Sequence, residues 1–501
     1  MSPPIAHECD VAIVGLGPVG AALANLLGSA GVSVIALERD AEVYPLPRAV
    51  HFDGEVMRVF HSMGLKAEVE AVTHPGLKPM EFVNAQGQVL MVRGGNALKG
   101  PHGCANNHYF NQPQLERVLR QGLARFAAVK VLTRHDVFAI AEDGSGASLS
   151  VENCANGELL GIRARYVIGC DGARSLVRRL MGSVTEDLGL HQPWLVFDAL
   201  LKRDPGLPDH TVQYCDPARP ITYCNLRGDR RRWEVMLMPG DDPVAIARPE
   251  NVWKLVAPWI SPDDADLERA VVYTFHSVIA HGWRRGRLMI AGDSAHQTPP
   301  FLGQGMCAGI RDAANLAWKL ALVLRANAPD ALLDTYESER KPHVRAFIEL
   351  AVRLGAIIQT VDADVAAERD RKFAAGDPEV FTFPAPGLGP GLRSDEPAPV
   401  GQPFPQPELA DGRLLDCELG GRFGLIGQAA LIDHADGATR RRLRDAGVVE
   451  LDDRHPGLRA WLDAHDARAV LLRPDRYVAG IARDPAGLAR LAALLPHARA
   501  A

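Results

Sequence analysis

The chain has no Cys-x-x-Cys pair. Its eight cysteines, Cys9, Cys104, Cys154, Cys170, Cys215, Cys224, Cys307 and Cys417, are scattered. That scatter argues against a dithiol redox centre and a zinc site, and it fits reduced thiols in a cytoplasmic protein with no metal. Positive charge is not in excess: 55 Lys and Arg face 61 Asp and Glu, a formal net charge of -6. With no basic run interleaved with aromatics, nucleic acid is not an expected partner. A Gly-x-Ser-x-Gly nucleophile elbow is also missing, so serine-hydrolase chemistry has no foothold. One long uncharged stretch, Val11 to Leu37, is broken by Gly15, Gly17, Pro18, Gly20 and Gly31 and is preceded by Glu8 and Asp10. It reads as strand, turn, helix and strand; no membrane association is expected.

What is present suits a globular chain of two or three domains: 501 residues, 47% hydrophobic and 23% charged, enough to bury a sizeable core. The first chemical signal is the turn Gly15-x-Gly17-x-x-Gly20, between a β-rich run and an Ala/Leu-rich helical segment. Gly15 allows the tight turn, Gly17 lets backbone approach a pyrophosphate, and Gly20 permits close helix packing. The helix opening at Pro18 and Val19 then offers amide donors and a positive dipole end. Glu38, closing the next strand, is placed to bind the ribose hydroxyls of an adenosine.

Two further segments suit the same ligand. Asp171-Gly172-Ala173-Arg174-Ser175 follows an apolar strand, although a lone Asp-Gly is usually only a turn. Gly292-Asp293 ends another buried run; its carboxylate could accept hydrogen bonds from ribityl hydroxyls, or merely cap a helix. Gly303, Gln304 and Gly305 then open a long amphipathic helix, Met306 to Arg325, whose N-terminal amides would face an electron-rich ring edge. His102, His108 and His296 read as structural histidines, with no metal-like spacing among them.

Together these residues resemble the single-component FAD-dependent aromatic-ring hydroxylases, the group typified by para-hydroxybenzoate hydroxylase and phenol hydroxylase, over about residues 8 to 350. The strings YPLPRAVHFDGEVMR, YCDPARP, VMLMPG, RDAANLAWKLALVL and ALLDTYESERKPH are similar to the 3-(3-hydroxyphenyl)propionate hydroxylases. The resemblance implies noncovalent FAD, with the adenosine half at Gly15, Gly17, Gly20, Glu38 and Arg39 and the ribityl chain near Asp293 and Gln112. It places Arg48 near both FAD and the active site, and gives Asp171, Gly172 and Arg174 a joint role toward FAD and the nicotinamide cosubstrate, NADH or NADPH. It sets Pro299 and Pro300 beside the reactive flavin carbon, and the amides of Met306 and Cys307 at the pyrimidine edge. Cys307 stands where many members carry Asn, and HGCANNHYFNQP lacks arginines that the nearest members carry before the Gln. Tyr214, Tyr223, His108 and His276 are the available acid/base candidates, none of them singled out.

The expected fold is α/β: a Rossmann-like FAD-binding domain in two parts (1–185 and 281–382), an inserted antiparallel-sheet substrate domain (186–280), a Pro/Gly-rich linker (383–407) and a thioredoxin-like C-terminal domain (408–501). Every expected FAD residue precedes that tail, so cofactor binding is expected to survive its removal. The resemblance implies hydroxylation of a small phenol with O2 by way of a flavin C4a-hydroperoxide, the phenol being 3-(3-hydroxyphenyl)propionate-like and the product a catechol. Resorcinol, a polycyclic phenol or a hydroxyquinoline is the alternative, as is a flavin dehydrogenase or halogenase on the same fold. A homodimer is left open.

Overall fold

The computed structural model describes residues 3–94, 98–376, 379–381, 386–409 and 412–496. The uncharged segment near the N-terminus folds as strand Ile5–Val14, helix Pro18–Ser29 and strand Val34–Glu38. Val11, Ala12, Ile13, Ala22 and Leu23 are fully buried, as a strand covered on both faces and a helix laid against it require. Among the described residues, no helix is long and apolar enough to cross a membrane.

An eight-stranded sheet carries the first layer. Ile5–Val14 runs parallel to Val34–Glu38 on one side and to Glu158–Gly169 on the other, and Glu158–Gly169 runs parallel to Leu288–Ile290. The register aligns the ends of these strands. Val14 lies opposite both Leu37 and Gly169, and Gly169 opposite Ile290. Three chain segments far apart in sequence therefore leave the sheet at one edge, the carboxyl edge where open parallel sheets bind ligands. Backbone bonds continue past that edge, from Gly15 N to Leu37 O (2.8 Å), Cys170 N to Val14 O (2.8 Å) and Ala291 N to Gly169 O (3.0 Å).

The second sheet has nine strands, its core being Ala265–Ala280, Thr185–Leu201, Arg230–Met236, Ile221–Asn225 and Val212–Tyr214 in antiparallel order. It is larger than residues 186–280. Met80–Val83 joins in parallel beside Val212–Tyr214, Val89–Arg93 comes next, and Glu379–Phe381 and His296–Gln297 close the two ends. Local patterning shows that such segments are strands; it cannot show which distant edge they complete.

The Pro/Gly-rich stretch is tied to the rest of the protein at several points. Val400 and Phe404 are buried, Gly389 N and Leu392 N donate to the backbone and carboxylate of Glu339, and Ser394 N and Gly401 N pair with Ala479 and Val478. The part of the expected linker at 383–385 lies outside the described residues. Beyond it, a four-stranded sheet orders Val449–Asp452, Gly424–Gly427, Ala469–Leu472 and Val478–Ala482; the first pair is parallel, the other two antiparallel.

Candidate active site

A cavity of about 420 Å³ opens where the carboxyl edge of the first sheet meets the second, a volume suited to a ring system and a small ligand. Of the residues singled out in the sequence, Gly17, Pro18, Val19, Arg48, Gln112, Gly172, Asp293, Pro300, Gly303, Gly305 and Met306 line it. Gly15 and Gly20 lie just behind. Gly15 has φ +93°, and a Cβ on Gly20 would come within 2.1 Å of the Gly15 carbonyl, so both must be glycine for the turn to close on its helix. At Gly17 a Cβ would meet no atom within 4 Å; it would project into open space in front of the helix N-terminus, where a phosphate would sit. Glu38 supports this turn, accepting from Leu16 N (3.0 Å) and Asp40 N (3.1 Å) with Arg120 3.6 Å away. Arg39 and Arg174 are exposed and do not line the cavity.

Asp293 has a different setting. Its carboxylate is exposed to the cavity, accepts no hydrogen bond from any described residue, and is raised above the ordinary carboxylate range by the protein crowded around the cavity, which His296 and Arg48 offset in part. It is therefore free to accept from ligand hydroxyls. The turn carrying it is rigid. Asp312 accepts from Gly292 N (3.1 Å) and from the His296 ring (2.7 Å) on one oxygen, and from Arg340 Nε (2.9 Å) on the other. His296 is thus the structural histidine that the sequence suggested.

Asp171 is spoken for within the protein. It accepts from the hydroxyls of Ser175 (2.5 Å) and Ser294 (3.0 Å) and from Leu176 N (2.7 Å), while Gly172 N donates to Ser294 (2.9 Å). Its side chain welds two cavity turns together, leaving ligand contact to the Gly172 backbone. Gln112 does similar work: its oxygen receives Arg48 N (3.0 Å) and Ala49 N (2.6 Å).

The Arg48 segment is also held from the second sheet. Arg232 donates to the carbonyls of Arg48 (2.8 Å) and Pro47 (2.5 Å), Arg269 donates to Pro47 (2.8 Å), and both arginines close on Asp198. Sequence reasoning missed this buried group. Alternation in a strand marks Arg232 as facing one side of the sheet, but only the tertiary packing puts a charge-lined face against a loop carbonyl.

At the helix Gly305–Arg325, Gly305 and Met306 line the cavity while Cys307 and Pro299 lie buried behind it. Arg311 fixes this corner, bonding to Asp53 (2.6 Å), Glu55 (2.6 Å) and Gln304 (3.0 Å). Glu55 also accepts from the Tyr477 hydroxyl (2.6 Å). The C-terminal region therefore touches, through three side chains, the turn that faces the cavity, a link the sequence did not suggest and one that bears on the expectation that the tail is dispensable.

Two acid/base candidates require correction. Tyr223 packs on Trp233 and donates to the Pro208 carbonyl (2.9 Å); His108 stacks on Phe52 and bonds the Ala105 carbonyl (3.0 Å). Neither lines the cavity, because each sits on the far side of its strand. Tyr214 likewise pairs with Trp259, whereas His276, with Tyr109, Tyr273 and His51, does line it. Burial lowers His51 and His108 to about 4 from an ordinary 6.5. The unfolded chain takes up these protons first, so stability present above pH 6.5 is lost on acidification. Between pH 7 and 5 each histidine is expected to remove about 2 kcal/mol from the unfolding free energy. Urea titrations at the two pH values check this; equal midpoints would contradict it.

The FAD binding domain family model matches residues 8–351. The chain is 37% identical to a probable NADH-specific resorcinol 4-hydroxylase of Rhodococcus jostii (strain RHA1), over 96% of this chain and 94% of the relative. The chain belongs to the FAD-dependent aromatic hydroxylases. The hydroxylase is also 35% identical to a 3-(3-hydroxyphenyl)propionate/3-hydroxycinnamic acid hydroxylase of Burkholderia vietnamiensis (strain G4 / LMG 22486), over 97% of this chain and 96% of that one. Its fold matches that of the flavin-dependent monooxygenase PieE, solved with FAD and substrate, at TM-score 0.82 and 22% identity over 98% and 99% of the two chains. Residues 429–498 match the HcaD C-terminal domain. The hydroxylase is a flavin monooxygenase that uses FAD, as the sequence resemblance implied.

Proposed function

We propose that this hydroxylase converts a small meta-substituted phenol to the product hydroxylated ortho to the existing hydroxyl, consuming one NADH, one proton and one O2 and releasing NAD+ and water. The observation that carries the placement is the Asp293 carboxylate, which lines the cavity, is exposed to it and has no donor among the described residues. In this reading Asp293 binds the ribityl hydroxyls of FAD, Gly17, Pro18 and Val19 receive the pyrophosphate, Glu38 takes the adenosine ribose, and the Gly305 and Met306 amides meet the pyrimidine edge. When bound, FAD takes hydride from the nicotinamide and activates oxygen. The chain's own task is to orient the phenol, exclude water and stabilise its anion. Arg48, held by Gln112 and Arg232, stands between the cofactor half of the cavity and the substrate sheet. NADH is favoured over NADPH by the NADH specificity of the Rhodococcus relative.

The strand order and directions of the C-terminal sheet support reading that region as thioredoxin-like. Only Cys417 lies within it, so dithiol exchange is not its role.

The test is oxidation of NADH by the FAD-loaded protein with a panel of phenols under labelled O2. Label in the ring product, with hydroxylation matching NADH consumed, is the expected result. NADH oxidation that no phenol stimulates, or product oxygen drawn from water, would overturn the reading.

A further inference from the structure

Resting on the reading of this cavity as the pocket of a phenol hydroxylase, we propose that the Glu234 carboxylate accepts a hydrogen bond from a second ring hydroxyl of the substrate, so that the enzyme selects a neutral 1,3-dihydroxybenzene over a phenol bearing a carboxylate side chain. Glu234 lies on strand Arg230–Met236, opposite Thr222 on one neighbour and Val196 on the other. All three line the cavity, so this row of the sheet forms its floor.

Among the described residues, the other polar side chains in that floor already have partners, with only Arg269 Nε left without one. Thr222 donates to the Gln213 oxygen (2.5 Å), and the Gln213 amide donates to the Ile221 carbonyl (3.2 Å). Arg232 and Arg269 are closed on Asp198 and the Pro47 carbonyl. Glu234 differs: the nearest cation, Arg232 Nη1, is 4.0 Å away, beyond hydrogen-bond reach, and no described residue donates to it. Burial and the neighbouring Asp198 disfavour its charged form, with Arg232 and Arg269 acting against them. A largely buried acceptor of this kind is left costly unless a ligand provides the donor.

A phenolic hydroxyl is such a donor. A propionate carboxylate is not; beside Glu234 and Asp198 it would bring a third negative charge to a face whose two arginines already pair with Asp198, and it would have to reach Arg48 or Arg93 elsewhere on the cavity wall. Lys78, also on the cavity wall, is paired with Asp209 at 2.8 Å.

The experiment compares resorcinol, 3-methylphenol and 3-(3-hydroxyphenyl)propionate as substrates for the FAD-loaded wild type, Glu234→Gln and Glu234→Leu, measuring NADH consumed and hydroxylated product. For the wild type, kcat/KM for resorcinol is expected to exceed that for 3-methylphenol by about tenfold to a hundredfold, mostly through KM, because a site built to pair a hydroxyl rejects an analogue without one. Glu234→Leu should erase that gap, and Glu234→Gln, which keeps the shape and removes the charge, should improve turnover of the propionate. Faster wild-type turnover of the propionate than of resorcinol overturns the proposal, as do variants that slow all three substrates equally, the mark of a merely structural residue. Hydroxylation of none of the three by the wild type would overturn the functional reading itself, and this inference with it.

Discussion

Asp293→Ala is expected to bind FAD about tenfold to a hundredfold more weakly than the wild type, without loss of fold. Each charge-assisted hydrogen bond to a ribityl hydroxyl is worth roughly 1.5–3 kcal/mol, and tenfold corresponds to about 1.4 kcal/mol. The protein without FAD should not suffer from the change. The carboxylate is exposed to the cavity and has no donor among the described residues, so alanine removes no contact of the folded protein. The turn beside it keeps its own ties, through Asp312 to Gly292, His296 and Arg340. Flavin fluorescence titration of the deflavinated protein measures the first effect and its thermal unfolding the second. Unchanged FAD affinity would place the ribityl chain elsewhere; a large drop in stability of the flavin-free protein would mean that Asp293 is structural.

Glu339→Ala should be the most destabilising single change, about 3–5 kcal/mol. Glu339 is fully buried and accepts from Lys319 (2.7 Å), Arg473 (2.8 Å), Asn315 (2.9 Å) and the Leu392 amide (2.7 Å). Burial has already brought Lys319 down to about 8. Removing the carboxylate leaves that ammonium unpaired and Arg473 with Asp475 alone. Since Lys319 belongs to the FAD-binding part and Arg473 to the C-terminal part, the variant should also loosen the tail. Denaturant unfolding and limited proteolysis read the two consequences. A loss under about 1 kcal/mol with an intact proteolytic pattern would show that the cluster does not hold the regions together. The contact from Tyr477 through Glu55 and Arg311 to Gln304 gives the same docking a reach into the active site.

The sequence by itself determined the family, the cofactor class and the first βαβ unit. The family rests on the resemblance of its motifs, the βαβ unit on local rules: a turn that must be glycine to pack against its helix, and a strand whose uncharged run suits burial on both faces. It also pointed to Asp293, since an acid closing a buried strand is a local feature. That this acid meets no donor was settled by the surrounding turns.

Only the tertiary structure decided the rest, because the remaining features are relations between distant segments. Asp171 looked like a ligand contact and is a weld between two turns, a difference made by Ser294, 123 residues away. Tyr223 and His108 had suitable chemistry and face the wrong side of their strands. Arg232, Arg269 and Glu234 carry no local signal, since charges alternating along a strand usually mark a solvated face. Here that face is closed by the Pro47–Arg48 loop and the first sheet, and closure turns ordinary surface residues into the floor of the pocket.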